Sequence, residues 1–361
     1  MRLVLATPLY PPEIGGPATD AAALARELEA RGMAVVVCPF SRVRRLPKLL
    51  RHLGYALVVA RASRGADAIV AFDTVSAGLP ALLAARATRT PLVVRVPGDY
   101  AWEQGVQRFG VADPIDAFQQ RRYGLRVGAL RLAQRRVVRG AALVIAPSDY
   151  FTGIVAGWGV SAARLKRIYL GLPPLPPARE PADRPAGRLL VSIGRFVPWK
   201  GFGLLIDLLP DLPGWQLALV GDGPLAPALK AQAAARGVSE RVRFTGALSR
   251  AEALGWLACA DAFALNTAFE SFSFQVLEAM LAGAPVIATT VGSLPELIDN
   301  GVEGVLLAPS DRAGFLEAIR SVERDPETWA ARRAAARRAS ADFSLGASAG
   351  AFAEAIMTVC A

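Results

Sequence analysis

A repeated alternation of short apolar runs and helical patterns, broken once by prolines, constrains this chain more than any other feature. Leu3 to Ala6, Val35 to Pro39, Ala68 to Ala71, Leu92 to Val96 and Leu143 to Ala146 are short runs rich in branched apolar residues. Helical patterns fill most of the gaps between them, which is how buried parallel strands and their crossover helices read. The segment Gly171 to Gly187 then carries six prolines and little periodicity, so it can continue neither a helix nor a sheet interior. Beyond it the alternation restarts at Leu189 to Ile193, Gln216 to Val220, Val242 to Phe244, Ala262 to Leu265, Val286 to Ala288 and Gly304 to Leu307. The reading is α/β, with two doubly wound Rossmann-like domains facing each other across a cleft. Their expected bounds are 1–178 and 187–340, with a C-terminal helix over 345–361 that packs back on the first. A length of 361 residues suits two domains, because one core seldom grows past about 300 residues.

Open α/β sheets bind ligands beyond the carboxyl ends of their strands, so function is to be sought in the loops there. The first such loop holds Gly15 and Gly16 just before a helical run from Ala18 to Arg31. Adjacent glycines at a helix start suit an anion, and equally a plain turn. The second is Gly194-Arg195-Phe-Val-Pro-Trp-Lys200-Gly201. A guanidinium grips phosphate with paired hydrogen bonds and an ammonium adds a point charge, so the two cations match a diphosphate. A third, Gly221-Asp222-Gly223, stands at the next strand end, where a tight turn is the alternative.

The fourth loop is Asn266-Thr-Ala-Phe-Glu270-Ser-Phe-Ser273, running into helix formers from Phe274. Amides at that helix start can receive a phosphate. Glu278 falls on an otherwise apolar stripe of this helix, four residues from Phe274 and three from Leu281. A carboxylate there needs partners. Ligand hydroxyls or a buried lysine or arginine would both serve. Glu270, ahead of the helix, has sugar hydroxyls or plain solvent open to it.

Charge is lopsided. Residues 1–180 hold 25 of the 41 Lys and Arg against 12 of the 31 Asp and Glu, a net +13, while residues 181–361 net −3. The excess gathers in two segments, Arg42 to Arg64 and Arg121 to Arg139, where Arg alternates with Leu, Val and Tyr at helical spacing. Such stretches suit an anionic membrane surface or a phosphate-bearing partner; solvated arginine faces are the alternative. No zinc-finger spacing and no aromatic basic motif points to nucleic acid. No apolar run approaches the roughly 18 residues of a membrane span. The start reaches Pro8 too soon for a secretory signal. Cys38, Cys259 and Cys360 are odd in number and far apart, which suits reduced cysteines in a cytoplasmic protein.

Taken in order, Gly15-Gly16, Gly194-Arg195 with Lys200-Gly201, Gly221-Asp222-Gly223, Phe244-Thr-Gly246, and Glu270 to Glu278 with seven residues between them resemble the motif set of glycosyltransferase family 4, the retaining GT-B enzymes. The stretch from Gly283 through Glu296 is similar too. This resemblance implies transfer of a hexose from a UDP- or GDP-linked sugar to a glycan or lipid-linked acceptor. Arg195 and Lys200 would hold the diphosphate and stabilise it as it leaves. Glu270 would contact the transferred sugar and Glu278 the ribose, with the amides of Phe272, Ser273, Phe274 and Gln275 on the phosphate and sugar. Backbone from Gly246 to Leu248 would face the base, and Gly15 and Gly16 would close over the diphosphate. No metal and no resident cofactor is implied, since the chain has no Asp-x-Asp and two cations supply the charge. One departure stands out: the loop after the fourth strand, where many members carry a histidine, reads Val96-Pro97-Gly98-Asp99-Tyr100-Ala-Trp102-Glu103, and the only histidine is His52. Asp99 is therefore expected to touch donor or acceptor sugar, with Tyr100 and Glu103 beside it on the acceptor. A nucleotide-sugar 2-epimerase of the same architecture is the alternative activity. A nucleotide-dependent dehydrogenase would need a Gly-x-Gly-x-x-Gly turn after the first strand, which is missing. A binding module without turnover is the remaining class.

Overall fold

The structure, a computed structural model, describes residues 1–13 and 16–360. It divides into two compact units, one of Met1–Pro173 with Ser344–Ala361 and the other of Pro174–Phe343.

The first unit runs β1 (Arg2–Thr7), α1 (Gly16–Ala30), β2 (Ala34–Pro39), α2 (Lys48–Ala62), β3 (Ala68–Ala71), α3 (Gly78–Thr88), β4 (Leu92–Arg95), α4 (Tyr100–Arg108), α5 (Ile115–Gln120), α6 (Leu125–Gly140), β5 (Leu143–Ala146), α7 (Asp149–Ala156) and β6 (Leu165–Arg167). Its six parallel strands lie in the order β2-β1-β3-β4-β5-β6. The chain moves one way from β1 to β2 and the other way from β3 onward, so the sheet has a switch point between β1 and β3. Leu3, Leu5, Val70, Val93 and Ile145 bury one face of it against Leu24 and Leu28 of α1.

The second unit runs β7 (Arg188–Ile193), α8 (Phe202–Leu208), β8 (Trp215–Val220), α9 (Ala226–Ala235), β9 (Val242–Gly246), α10 (Arg250–Ala258), β10 (Ala262–Leu265), α11 (Phe274–Ala282), β11 (Val286–Thr289), α12 (Leu294–Leu297), β12 (Val305–Leu307), α13 (Arg312–Arg324) and α14 (Pro326–Ser340). Its parallel order is β12-β11-β10-β7-β8-β9, with the switch point between β7 and β10. Phe202, Ile206, Trp215, Phe315 and Trp329 pack one side of this sheet. The last helix, α15 (Leu345–Cys360), belongs to the first unit, where Ala349, Phe352 and Ile356 enter the α1 face of the core.

Two details differ from the sequence reading. The proline-rich stretch from Pro174 onward belongs to the second unit rather than standing apart, since Arg179 donates its amide to the Ala251 carbonyl at 2.9 Å. Strand β6, Leu-Lys-Arg at a sheet edge, carries no apolar run because its outer side is exposed. No helix among the described residues is long and apolar enough to cross a membrane.

Candidate active site

The two loops that leave the switch point of the second sheet are stapled together by backbone and short polar side chains. Ala268 donates its amide to Trp199 O at 2.7 Å, Thr267 Oγ1 donates to the same carbonyl at 3.1 Å, and Asn266 Nδ2 donates to Gly201 O at 3.1 Å. Asn266 Oδ1 also accepts from the Ser310 amide at 2.9 Å. The second loop is fixed from behind by Thr289 Oγ1 on Thr267 O at 2.7 Å and by the Ser293 amide on Glu270 O at 3.0 Å. Gly201 sits at φ +58 in the left-handed region, where a side chain would be driven into Asn266.

This stapling carries Lys200 and Glu270, which are 70 residues apart in sequence, into a hydrogen-bonded ion pair. Both are nearly covered, at 8% and 6% exposure. Burying two charges is costly unless each has a partner, so the pair holds both loops in register. The Lys200 stem crosses Gly194, whose Cβ position lies 3.7 Å from Lys200 Cε. Arg195 follows directly and is different: it is exposed, and among the described residues its guanidinium has no acidic partner. A free cation one residue from the loop of a buried cation–carboxylate pair is a ready binding surface for an anion.

The Gly221–Gly223 turn supports this loop from the next strand. Phe196 donates its amide to Asp222 O at 2.9 Å, and Leu225 donates to Phe196 O at 3.1 Å. A Cβ on Gly223 would come within 2.6 Å of the Phe196 backbone, and one on Gly221 would strike the Gly194 carbonyl. The close approach these glycines permit in the structure is thus to the Arg195 loop. Gly246, at φ +71, accepts the Gly221 amide at 3.1 Å and continues the same stack, with Leu248 half-buried just beyond.

Helix α11 begins where the Glu270 loop ends. Ser273, fully buried at its N-cap, makes no side-chain cap; its hydroxyl donates to Gln275 Oε1 at 3.2 Å instead. The first-turn amides around Phe274 and Gln275 are therefore left for another acceptor, the arrangement that favours an anion. Phe272 and Phe274 pack edge to face at 5.8 Å in front of this turn. Glu278 lies on the same helix, and its Oε1 accepts from Arg250 Nε at 2.7 Å. Burial pushes its carboxyl above the ordinary range, with Arg250 opposing. Of the two partners the sequence left open for Glu278, the structure supplies the arginine, from the start of α10; nothing in the spacing marked Arg250, 28 residues away.

In the first unit the expectations fare differently. Gly15 lies outside the described residues. Gly16 opens α1, exposed, with open space where a side chain would stand. Asp99 requires correction as a sugar contact. It is 0% exposed and caps α4: Oδ1 accepts the Trp102 amide at 3.0 Å and Gln134 Nε2 at 3.0 Å, and Oδ2 accepts Gln119 Nε2 at 2.8 Å. Gln119 Oε1 in turn accepts Trp158 Nε1 at 3.0 Å, and Gln134 Oε1 accepts the Ala101 amide at 3.1 Å. Every amide orientation is thereby set, with Asp99 as the all-acceptor end of the network. Burial raises its carboxyl pKa and the three donors oppose it. Both oxygens are engaged by the fold and the side chain is closed to solvent, which is the geometry of a structural cap rather than of a sugar contact. Tyr100 and Glu103, on the first turn of α4, are half-buried, and Glu103 Oε1 lies 2.6 Å from where a Cβ on Gly98 would be. An unforeseen pair occupies the carboxyl end of β4, where buried Arg95 donates to Asp20 of α1 at 2.8 Å and stands 5.1 Å and 5.5 Å from the Phe72 and Phe352 rings.

The chain is similar to known proteins along nearly all of this framework. A family model described as Glycosyl transferases group 1 matches residues 179–339, and one described as Glycosyl transferase 4-like domain matches residues 15–171. The glycogen synthase of Mycobacterium tuberculosis is 39% identical over 171 residues, 46% of this chain and 41% of that protein. The lipopolysaccharide core biosynthesis glycosyltransferase LpsE of Rhizobium meliloti is 35% identical over 145 residues, 40% of this chain and 41% of that protein. This chain thus spans about two fifths of the length of these curated relatives. In three dimensions, Anabaena Alr3699/HepE, solved in complex with UDP and glucose, aligns with a TM-score of 0.77 at 22% identity over 99% of both chains. The matched families and relatives are transferases, which disfavours the epimerase alternative. Two six-stranded parallel sheets in this order, a paired cation and acid at the second sheet's switch point, and both family matches lead to one assignment: the chain belongs to the GT4-like glycosyltransferases of GT-B fold.

Proposed function

We propose that the protein transfers a hexose from a UDP- or GDP-linked sugar to a glycan acceptor that is lipid-linked or phosphate-bearing, with retention of configuration and without a metal ion. One observation carries this reading: the Lys200–Glu270 pair at a topological switch point, with an unpartnered Arg195 beside it and the uncapped start of α11 in the same loop pair. Arg195 and Lys200 take the diphosphate, and their fixed charge stabilises the negative charge that develops as the bond from the anomeric carbon to phosphate oxygen breaks. The acceptor hydroxyl then bonds to that carbon on the face the phosphate leaves, and its proton passes to the departing phosphate oxygen. Glu270, held by Lys200, receives sugar hydroxyls. Glu278, fixed by Arg250, receives the ribose hydroxyls, and backbone near Gly246 to Leu248 faces the base. The paired acids are not a glycosidase acid and base, because that chemistry needs both on the scissile bond. A lipid-linked acceptor and action at the inner face of a membrane are supported by the basic first unit and by the lipopolysaccharide-core relative.

The test is release of nucleoside diphosphate from a panel of UDP- and GDP-sugars in the presence of a bacterial glycolipid extract. Release from one donor that requires the extract, with a product of unchanged anomeric configuration by NMR, is the expected result. Inversion at the anomeric carbon overturns the stereochemical part, and no extract-dependent release from any donor overturns the whole.

A further inference from the structure

Helices α2, α3 and α6 are neighbours on one face of the first sheet, each a crossover that runs from strand carboxyl ends back to amino ends. Their outward stripes share a pattern. On α2, Leu50, Leu53, Leu57 and Arg61 fall on one line of the helix, opposite the buried Tyr55 and Val59. On α6 the line is Leu125, Ala129, Leu132 and Arg136, opposite Val127, Gln134 and Val138. Between them α3 presents Leu83 and then Arg86. These leucines range from 44% exposed at Leu83 to 94% at Leu125. On each of these lines leucine precedes arginine, so exposed leucines and arginines lie side by side across three helices.

The charge on this face is unbalanced as well. The three helices contain nine Lys and Arg and no Asp or Glu. Arg86, Arg122, Arg135 and Arg136 line a groove of about 750 Å³ along α6, and none has an acidic partner among the described residues. Some exposed arginines elsewhere are paired, as Arg236 of the second unit is with Asp207 at 2.7 Å. Adjacent exposed leucines are costly in water and signal a binding surface. Leucine rather than aromatic side chains between the arginines suits an acyl and phosphate boundary rather than nucleic acid bases.

We infer that the α2–α3–α6 face of the first unit docks on an anionic phospholipid bilayer, its leucines entering the acyl boundary and the unpaired arginines of the α6 groove taking lipid phosphates. This deepens the membrane part of the proposed function and rests on it only there. Vesicle binding and sugar transfer are separate readouts, so either can fail alone.

The experiment is co-sedimentation of the full chain with vesicles of phosphatidylcholine alone or with about 30 mol% phosphatidylglycerol. Compared are wild type, the double variant Leu53→Glu with Leu57→Glu, the single Leu132→Glu, and Arg135→Ala with Arg136→Ala. Wild type should bind only the anionic vesicles, and less as NaCl rises from about 50 to about 500 mM. The leucine and arginine double variants should each weaken binding about tenfold or more. The leucines and Arg136 are exposed and Arg135 is half-buried without an acidic partner among the described residues, so circular dichroism and melting temperature should be unchanged. Absence of binding at low salt overturns the inference, as does binding that the leucine variants leave intact. A wild-type dimer that the leucine variants render monomeric in ultracentrifugation also overturns it, by making the face an interface between copies.

Discussion

Lys200, Glu270 and Arg195 divide the work of the second unit's site between holding and binding, and substitution should separate the two. Removing one member of a buried ion pair strands the other charge, at a cost of about 3–5 kcal/mol. Lys200→Ala should therefore lower both stability in urea unfolding and donor affinity. Arg195 is exposed and unpartnered. Arg195→Ala should leave stability within about 0.5 kcal/mol of wild type while donor affinity falls by tenfold or more, about 1.4 kcal/mol. Asp99→Asn is the reverse case. The new amide would set a donor against Gln119 Nε2, and Gln119 cannot turn without losing Trp158. A loss of about 1–3 kcal/mol in stability with donor affinity unchanged is expected. Glu278 gives a pH test. Its raised carboxyl pKa means the native chain holds that proton more tightly than the unfolded chain, so wild-type stability falls as pH rises through the weakly acidic range. Glu278→Gln cannot titrate, and its stability relative to wild type should rise over the same range. The acids and cations of this site were legible in the sequence because they interrupt apolar patterns or follow strand ends. Their pairings were not, since Lys200 with Glu270 and Arg250 with Glu278 are made by topology, which brings together loops 70 and 28 residues apart.

At the scale of elements, strand order does most of the positioning. The β7 and β10 loops meet because the sheet reverses direction between them, and hydrogen bonds from Asn266, Thr267 and Ala268 then lock one to the other. The glycines of the Gly221–Gly223 turn were legible as a strand-end turn but not in their reason, which is the approach of the neighbouring loop's backbone. Gly223→Ala should displace Phe196 and with it the Arg195 loop. A loss of about 1–3 kcal/mol in stability together with weaker donor binding, measured by urea unfolding and calorimetry, is the expected outcome. Asp99 was misread for a comparable reason: an acid after a strand end looks like a site residue until the two glutamines that fill its oxygens, 20 and 35 residues on, are seen.

For the whole molecule, all the apolar runs identified as strands are strands; most are buried along their length, and such runs leave a clear mark in sequence, while β2, β9 and β12 are only partly buried. The edge strand β6 left none, and the boundary near residue 173 was blurred by a proline segment that is hydrogen-bonded to α10 rather than free. Charge follows the same division, with the cationic excess on the first unit and the diphosphate-matching cations on the second. The most direct measurement of the central claim is calorimetric titration of the full chain with UDP, GDP and their sugar conjugates, repeated on Arg195→Ala. Saturable one-to-one binding of one nucleotide series is expected, weakened tenfold or more, about 1.4 kcal/mol, in the variant. Equal affinity in wild type and variant, or no binding of any of these nucleotides at millimolar concentration, would contradict that claim.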